Sequence, residues 1–460
     1  MDNIRVKKSL SVLFILACLV VISSCGTLKP YNIPVVVPVE KLYRDVASSD
    51  TSNIAIIPWR SIYTDPKLIV LIEEALEGNT DLKAASARIK IAEASLRQSR
   101  AAFFPTINLS ANAILENTDP KKGYQLTGST SWEADIWGKL GNIKRANQDL
   151  FMKSEAYKRA VQTELIADLA MSYYTLLAFD AQLQVTEQTV EYRKSEVETI
   201  SVMKDNDMVT GADLVQSQAN LYSAQISVPD IKRNIYETEN TICLLLGRTP
   251  GPIERGSLAE QTITVDLKTG IPAQLLANRP DVQAAELQLR YGHEITRAAK
   301  KAFYPSLTLS AASGGLQSVE VSKLFDAGSV FWNLVGGLTQ PVFNHGLNRQ
   351  RLNTAIAEQE EYLAMYKQVL LRSGSEVANA VYTYRSVTEK IGLRDKQLGY
   401  LRKSVDYTTE LLKYTSSTTY TNVLIAEMNL LSAELGSITD KEQQLQSIVM
   451  LYRSLGGGWK

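Results

Sequence analysis

The chain has 460 residues, 45% of them hydrophobic, enough for two or three domain-sized units. Its 49 basic residues are balanced by 49 acidic ones, so the basic stripe of a nucleic-acid-binding protein is not there. Two histidines occur in the whole chain, His293 and His345, far apart and without a neighbouring cysteine, which argues against a histidine-built metal site. The three cysteines are Cys18, Cys25 and Cys243. Cys18 lies in a leader and Cys25 at its end, so no intramolecular disulfide framework is expected. Cys243 reads as a small core residue.

Residues 1–24 have the layout of a bacterial secretory signal, with Arg5, Lys7 and Lys8 before an apolar run from Leu10 to Ile22. The run is short for a membrane span, which takes roughly 20 apolar residues. It ends Ile22-Ser23-Ser24-Cys25, which resembles the lipobox of bacterial lipoproteins, with Ile22 where leucine is usual. Cys25 is therefore the expected lipid attachment site, and several acyl chains hold a protein to a bilayer far better than one. Gly26 follows, not the aspartate that in many Gram-negative bacteria retains lipoproteins in the inner membrane, which favours the outer membrane. Residues 25–64 read as the acylated cysteine plus an extended linker, with prolines from Pro30 to Pro38.

Beyond the leader there is no 18-residue apolar run. A mature chain that crosses a membrane must then do so with strands of a closed barrel.

The chain is also an internal repeat. Asp81-Leu82-Lys83-Ala84-Ala85 matches Asp281-Val282-Gln283-Ala284-Ala285, and Ala102-Phe103-Phe104-Pro105 matches Ala302-Phe303-Tyr304-Pro305, at an offset of 200 (281 against 81). Leu246-Gly247 matches Leu455-Gly456 at an offset of 209 (456 against 247). The first repeat is read as 65–247 and the second as 279–460, with an equatorial linker at 248–278.

In the first repeat, 66–102 is helical in pattern, with Asp81 capping a turn near the middle, and Pro105 stops the helix. A hairpin over 105–136 follows. Ile107, Leu109, Ala111 and Ala113 alternate with Asn108, Ser110 and Asn112, and Tyr124, Leu126, Gly128, Thr130 and Trp132 alternate with polar residues. Asp119 to Gly123 reads as the turn between them. The second hairpin, 305–343, carries Leu307, Leu309 and Ala311, then Trp332, Leu334, Gly336 and Leu338. Strands with one apolar and one polar face suit a membrane barrel. Phe103, Phe104, Trp132, Trp137, Phe303, Tyr304 and Phe343 near the strand bases suit an interfacial girdle. Four strands cannot close a barrel, since the smallest membrane barrels have about eight. Strands must be pooled with other copies, and a trimer would supply twelve.

Each hairpin leads into a long helix, 138–204 and 347–414, followed by a return helix, 211–247 and 420–455. The first long helix would measure roughly 100 Å. Leu150, Tyr157, Val161, Leu165, Leu169, Leu176, Leu183, Val190 and Val197 give it a coiled-coil-like seam. Asp205 to Gly211 and Thr415 to Thr419 are the expected turns. Pro229 is expected to break or kink the first return helix.

These segments resemble the outer-membrane factors of the TolC and OprM type, in the NodT-like lipoprotein subgroup, over about residues 55–458. The most specific stretch runs from Ile271-Pro272 through Arg279-Pro280-Asp281-Val282 to Ala285-Glu286. Asp65-Pro66-Lys67-Leu68, Trp132 to Lys139 and Leu338 to Phe343 are similar as well. The resemblance implies a mainly α fold with a small β part: a periplasmic α-barrel of duplicated helical hairpins under a twelve-stranded β-barrel shared by a homotrimer. It implies a passive efflux conduit in the outer membrane that docks on a periplasmic adaptor and an inner-membrane pump of the RND type. No catalytic residue, metal or cofactor is expected, apart from the lipid on Cys25. It further implies a gate at the periplasmic tip, lined by Asp213 with Asp205 and Asp207 nearby. In the second repeat Asn422 and Ile425 stand where acids are common, and Glu427 follows. Arg279-Pro280-Asp281 reads as structural, a proline at a helix start with an acid in the first turn. Conduits for secreted proteins or for metal ions, and a periplasmic coiled-coil scaffold, are the competing readings. An enzyme fits least, since no phosphate-cradling loop or nucleophile–base set is present.

Overall fold

A computed structural model describes residues 32, 34, 36–38, 42, 54–115, 122–262, 278–414 and 418–459. The unit Val36–Lys460 carries the fold; Met1–Val35 forms a unit of its own.

After a short helix α1, Trp59–Ile62, the expected helix over 66–102 is two helices, α2 (Pro66–Gly78) and α3 (Thr80–Ala101). The break falls at Asn79, whose side chain accepts from the Leu82 amide at 2.9 Å. Asn79, not Asp81, is the cap; Asp81 lies two residues further on, in the first turn, where its charge suits the helix dipole. Strands β1 (Thr106–Leu115) and β2 (Lys122–Ala134) follow, then α4 (Lys139–Asp205) and α5 (Gly211–Leu246). The second repeat supplies α6 (Pro280–Lys301), β3 (Ser306–Ser318), β4 (Val330–Thr339), α7 (Leu347–Tyr414) and α8 (Tyr420–Ser454). Helix α5 runs through Pro229 without a break. The missing amide removes one bond of the ladder, yet the helix continues on both sides of Pro229, which is exposed.

The two hairpins make one antiparallel sheet in the order β1-β2-β3-β4. The register sets Ile107 beside Thr130, Leu109 beside Gly128, Leu126 beside Leu316, Trp132 beside Leu309 and Leu307 beside Leu338. Directly opposed residues share a face, so the apolar sets of the four strands lie on one side. A bulge in β3 between Leu309 and Gly314 shifts the pairing on both flanks. It moves the apolar positions from Leu307 and Leu309 to Leu316, an even number, without turning the strand over. Gly315 lies so close to β2 that a Cβ there would stand 2.0 Å from the Leu126 carbonyl oxygen.

The helices pack in two rows. On the sheet side the order is α3-α4-α6-α7; on the far side it is α5-α4-α8-α7. Between the two rows lies the main hydrophobic core. It joins Trp59, Ile62 and Leu68 to Leu165, Leu169, Tyr173 and Leu176 of α4, Ile242 and Leu246 of α5, Val377 of α7 and Val449 and Tyr452 of α8. Each such side chain, fully buried, contributes about 1.5–3 kcal/mol. Cys243 is buried in this core. The two repeats close onto it in the same way. Gly247 (φ +73°) ends α5 against Gly78, and Gly456 (φ +90°) follows α8 against Asn278 and Arg279.

Candidate functional site

The sheet is the first element of the site. Its apolar face is bare: Ile107 is 80% exposed, Leu109 76% and Trp332 77%. Its outer strands β1 and β4 each pair on one side only among the described residues. Bare apolar faces and free edges of this length are not left in water by soluble sheets. No helix among the described residues is long and apolar enough to cross a membrane.

At one end of the sheet, where β1 and β3 begin, the aromatic residues gather. Trp132 Nε1 donates to the Phe103 carbonyl at 2.9 Å, and Trp137 Nε1 donates to the Pro305 carbonyl at 2.7 Å. Trp137 stacks on Tyr304 with centroids 5.2 Å apart. Phe104, Tyr304 and Phe343 are exposed. The strand-to-helix turn is fixed by Asp135, which accepts from the amides of Leu140 and Gly141 at 2.8 and 2.7 Å, with Gly138 at φ +70°.

At the opposite end are the two helix-to-helix turns. In the first, Asp207 has φ +57° and Asp205 pairs with Lys204 at 3.2 Å. Asp213 is the third residue of a capping box. Its carboxylate accepts from the Thr210 amide at 2.9 Å and the Thr210 hydroxyl at 2.7 Å. In the second turn Asn422 Nδ2 donates to Thr418 Oγ1 at 3.0 Å, and α8 has no acid in its first turn. The turn acids are thus confined to the first repeat. Glu427 is not part of an acidic lining. It is buried, and its carboxylate accepts from Tyr192 OH at 2.5 Å and pairs with Arg193 at 2.8 Å. Arg193 also binds Glu196 at 2.7 Å. Burial pushes the Glu427 carboxyl up, an effect that the Tyr192 hydrogen bond and Arg193 oppose and Glu196 reinforces. Beside this network, Val185, Thr189, Val405 and Leu431 help line a cavity of about 240 Å³. A second node joins α7 to α8, with Asp440 held by Lys390 at 2.5 Å and Arg394 at 2.9 Å.

These inter-helix nodes were missed in the sequence, where Arg193, Glu427 and Asp440 look like ordinary surface charges. So were two exposed stripes on the outer helices of the far row. Val215, Tyr222, Pro229 and Tyr236 on α5, and Leu393, Tyr400, Tyr407 and Tyr414 on α7, recur every seven residues and face away from the chain's own packing. A search for buried seams passes over them.

Arg279 lies where the second repeat begins. It is buried and donates to Asp281 at 3.0 and 2.6 Å and to the Ser454 carbonyl at 2.9 Å, and it pairs with Glu376 at 2.8 Å. Burial disfavours its charge, but the hydrogen bond and charge of Asp281, with Glu376, raise its pKa on balance. The residues tie α6, α7 and α8 together, which is the structural role expected of this motif. Cys25 and residues 271–277 lie outside the described residues. Among the described residues no group of three His, Cys, Asp or Glu side chains is placed to hold a metal ion.

The arrangement agrees with proteins already known. The probable outer membrane lipoprotein SilC of Salmonella typhimurium is 27% identical over 98% of both chains. The solvent efflux pump outer membrane protein SrpC of Pseudomonas putida is 27% identical over 96% of this chain and 97% of its own. Among solved structures, the outer-membrane channel OprN superposes with a TM-score of 0.85 at 26% identity, covering 95% of this chain and all of that one. CusC, described in terms of transmembrane channel formation, gives 0.83 at 26% identity over 94% of this chain. The outer membrane efflux protein model matches residues 71–248 and 271–457. The chain belongs to the outer membrane efflux protein family.

Proposed function

We propose that the chain is one third of a passive trimeric conduit. It would carry small molecules such as drugs across the outer membrane, from a periplasmic adaptor and an inner-membrane pump of the RND type. The open sheet carries this reading: four strands, a bare apolar face and two free edges. Three copies joined edge to edge give a twelve-stranded barrel with the apolar face toward lipid. The helices support the same closure. The far row ends in α5 and α7, and these two helices carry the exposed heptad stripes. Stripes on α5 of one copy and α7 of the next would meet as a coiled-coil seam. A periplasmic scaffold has no use for the bare sheet. Relatives named for solvent and cation efflux span two cargo classes, as expected if cargo is chosen by the pump.

Cys25 is proposed as the lipid attachment site, and Asp213, Asp205, Asp207 and Asn422 as residues of the gate at the far turns. Three copies of Asp213 around a threefold axis would favour cations. The test is to purify the mature protein in detergent and add it to planar bilayers. A stable trimer with stepwise conductance is expected; a monomer without conductance overturns the conduit. Cys25→Ala should abolish acyl labelling, and label retained on the mature chain would refute that assignment.

A further inference from the structure

Beneath the aromatic residues the chain places a belt of positive charge. Helices α3 and α6 end there, and α4 and α7 start there. The level is fixed by direct contacts: Lys301 Nζ donates to the Gly138 carbonyl at 3.1 Å, Asn348 Nδ2 donates to the Ala302 carbonyl at 2.9 Å, and Lys144 lies 5.9 Å from the centre of the Phe103 ring. The ends of α3 and α6 bring Arg97, Arg100, Arg297, Lys300 and Lys301. The starts of α4 and α7 bring Lys139, Lys144, Arg145, Arg349 and Arg351.

Part of this charge has a use inside the fold. Lys139 pairs with Glu133, Arg145 with Glu294, Arg97 with Glu93, and Arg297 reaches Glu294 at 3.7 Å. Arg100, Lys300, Arg349 and Arg351 are exposed and join no ion pair among the described residues. A cation at a helix C-terminus is stabilised by the helix dipole, which accounts for Arg100 and Lys300. Arg349 and Arg351 sit in the first two turns of α7, where the dipole opposes them. Neither α4 nor α7 has an acid in its first turn. At the start of α4 Asp135 and the ion pairs of Lys139 and Arg145 offset the dipole, but nothing among the described residues offsets it for Arg349 and Arg351, which lie level with the cations at the helix ends and point to a partner outside the chain.

We infer that this belt is a docking surface for anionic phospholipid headgroups of the periplasmic leaflet, a proposal that rests on the sheet lying in the membrane. The aromatic residues mark the level where acyl chains give way to headgroups. The belt lies directly below them, within reach of phosphates whose charge it complements. Lipid at this ring would hold the barrel at a fixed depth.

The aromatic cluster supplies the probe, because Trp132 and Trp137 stand at the belt. The trimer is reconstituted in vesicles with brominated phosphatidylglycerol or brominated phosphatidylcholine, and quenching of tryptophan fluorescence gives the relative affinities. A preference for phosphatidylglycerol of roughly fivefold is expected, lost at high salt and lost in the variant Arg100→Gln, Lys300→Gln, Arg349→Gln, Arg351→Gln. Equal quenching in the unaltered protein, or a preference kept in the variant, overturns the belt. If the variant does not fold, the salt titration decides: a preference insensitive to salt overturns it. Quenching by neither lipid overturns the membrane reading itself, and the belt with it.

Discussion

Arg193 of α4 and Glu427 of α8 meet at 2.8 Å in the interior between two helices that belong to different repeats. Glu196 and Tyr192 complete the contact, and among the described residues Arg193 is the one cation that pairs with the two carboxylates. Replacing Arg193 with methionine leaves both acids buried without a counter-charge. Breaking a buried pair in this way costs about 3–5 kcal/mol. Amide exchange at 190–200 and 423–430 should speed up while the core around Leu169 and Tyr173 stays protected. Unchanged exchange at the far end of α4 would show that the pair does not hold the helices together.

Asp213 has two possible roles that one pair of variants separates. Thr210→Ala and Asp213→Asn both disrupt the capping box, and each should lower helix stability by about 1 kcal/mol. Only Asp213→Asn removes a charge. Reversal potentials across a salt gradient should therefore show reduced cation preference in Asp213→Asn and normal preference in Thr210→Ala. Equal behaviour of the two would make Asp213 a cap and nothing more.

Gly247 and Gly456 predict matching penalties. Both have positive φ, and a Cβ on either would stand 2.5 Å from a carbonyl oxygen, of Gly78 and Asn278 respectively. Alanine at either site combines left-handed strain of about 1–2 kcal/mol with displacement of the neighbouring backbone. Thermal melts of Gly247→Ala and Gly456→Ala should fall together, while Gly392→Ala, with open space around the site, should not destabilise. A harmless Gly456→Ala would remove the closure point of the second repeat.

Asp149 makes the fold sensitive to pH. It is buried on α4, and its carboxyl is pushed up to about 6, first by burial and then by Glu294 and Glu286, against the pull of Arg290 and Arg145. A folded-state pKa above the unfolded value of 3.8 means the folded chain binds the proton more tightly. The stability it contributes is full below about pH 4 and is lost as pH rises through about 6, by roughly 2–3 kcal/mol. Asp149→Asn should flatten this part of the stability profile in urea melts. A slope unchanged by the substitution would assign the pH dependence elsewhere.

Much of the architecture could be read from residue order because it depends on local patterns. Alternation in Ile107 to Ala113 and in Tyr124 to Trp132 marks strands whose apolar faces the register then sets side by side. A long stretch without proline, and without glycine after Gly141, marks α4, and a long stretch without proline marks α7. The reading failed where a neighbour overrides the local pattern. Asn79 ends a helix that composition alone would continue, because Asn79 Nδ2 also donates to the Leu245 carbonyl at the end of α5, at 2.8 Å. Pro229 does not break α5, which continues as helix on both sides of it. The second half of β3 escaped notice because its bulge changes the parity of the apolar residues, so simple alternation stops at Ala311 while the strand continues to Ser318.

By itself, then, the sequence determined where the long helices and the strand hairpins lie, the duplication, and that four strands are too few to close a barrel, since periodicity and strand number are properties of the chain alone. Only the tertiary structure decided which charges are buried and which are free. Arg193, Glu427 and Arg349 look alike in a string of letters. The first two pair across an interface between helices far apart in sequence, and the third is left exposed on a helix start that disfavours it. Burial depends on what packs alongside, and that is fixed only when the repeats come together.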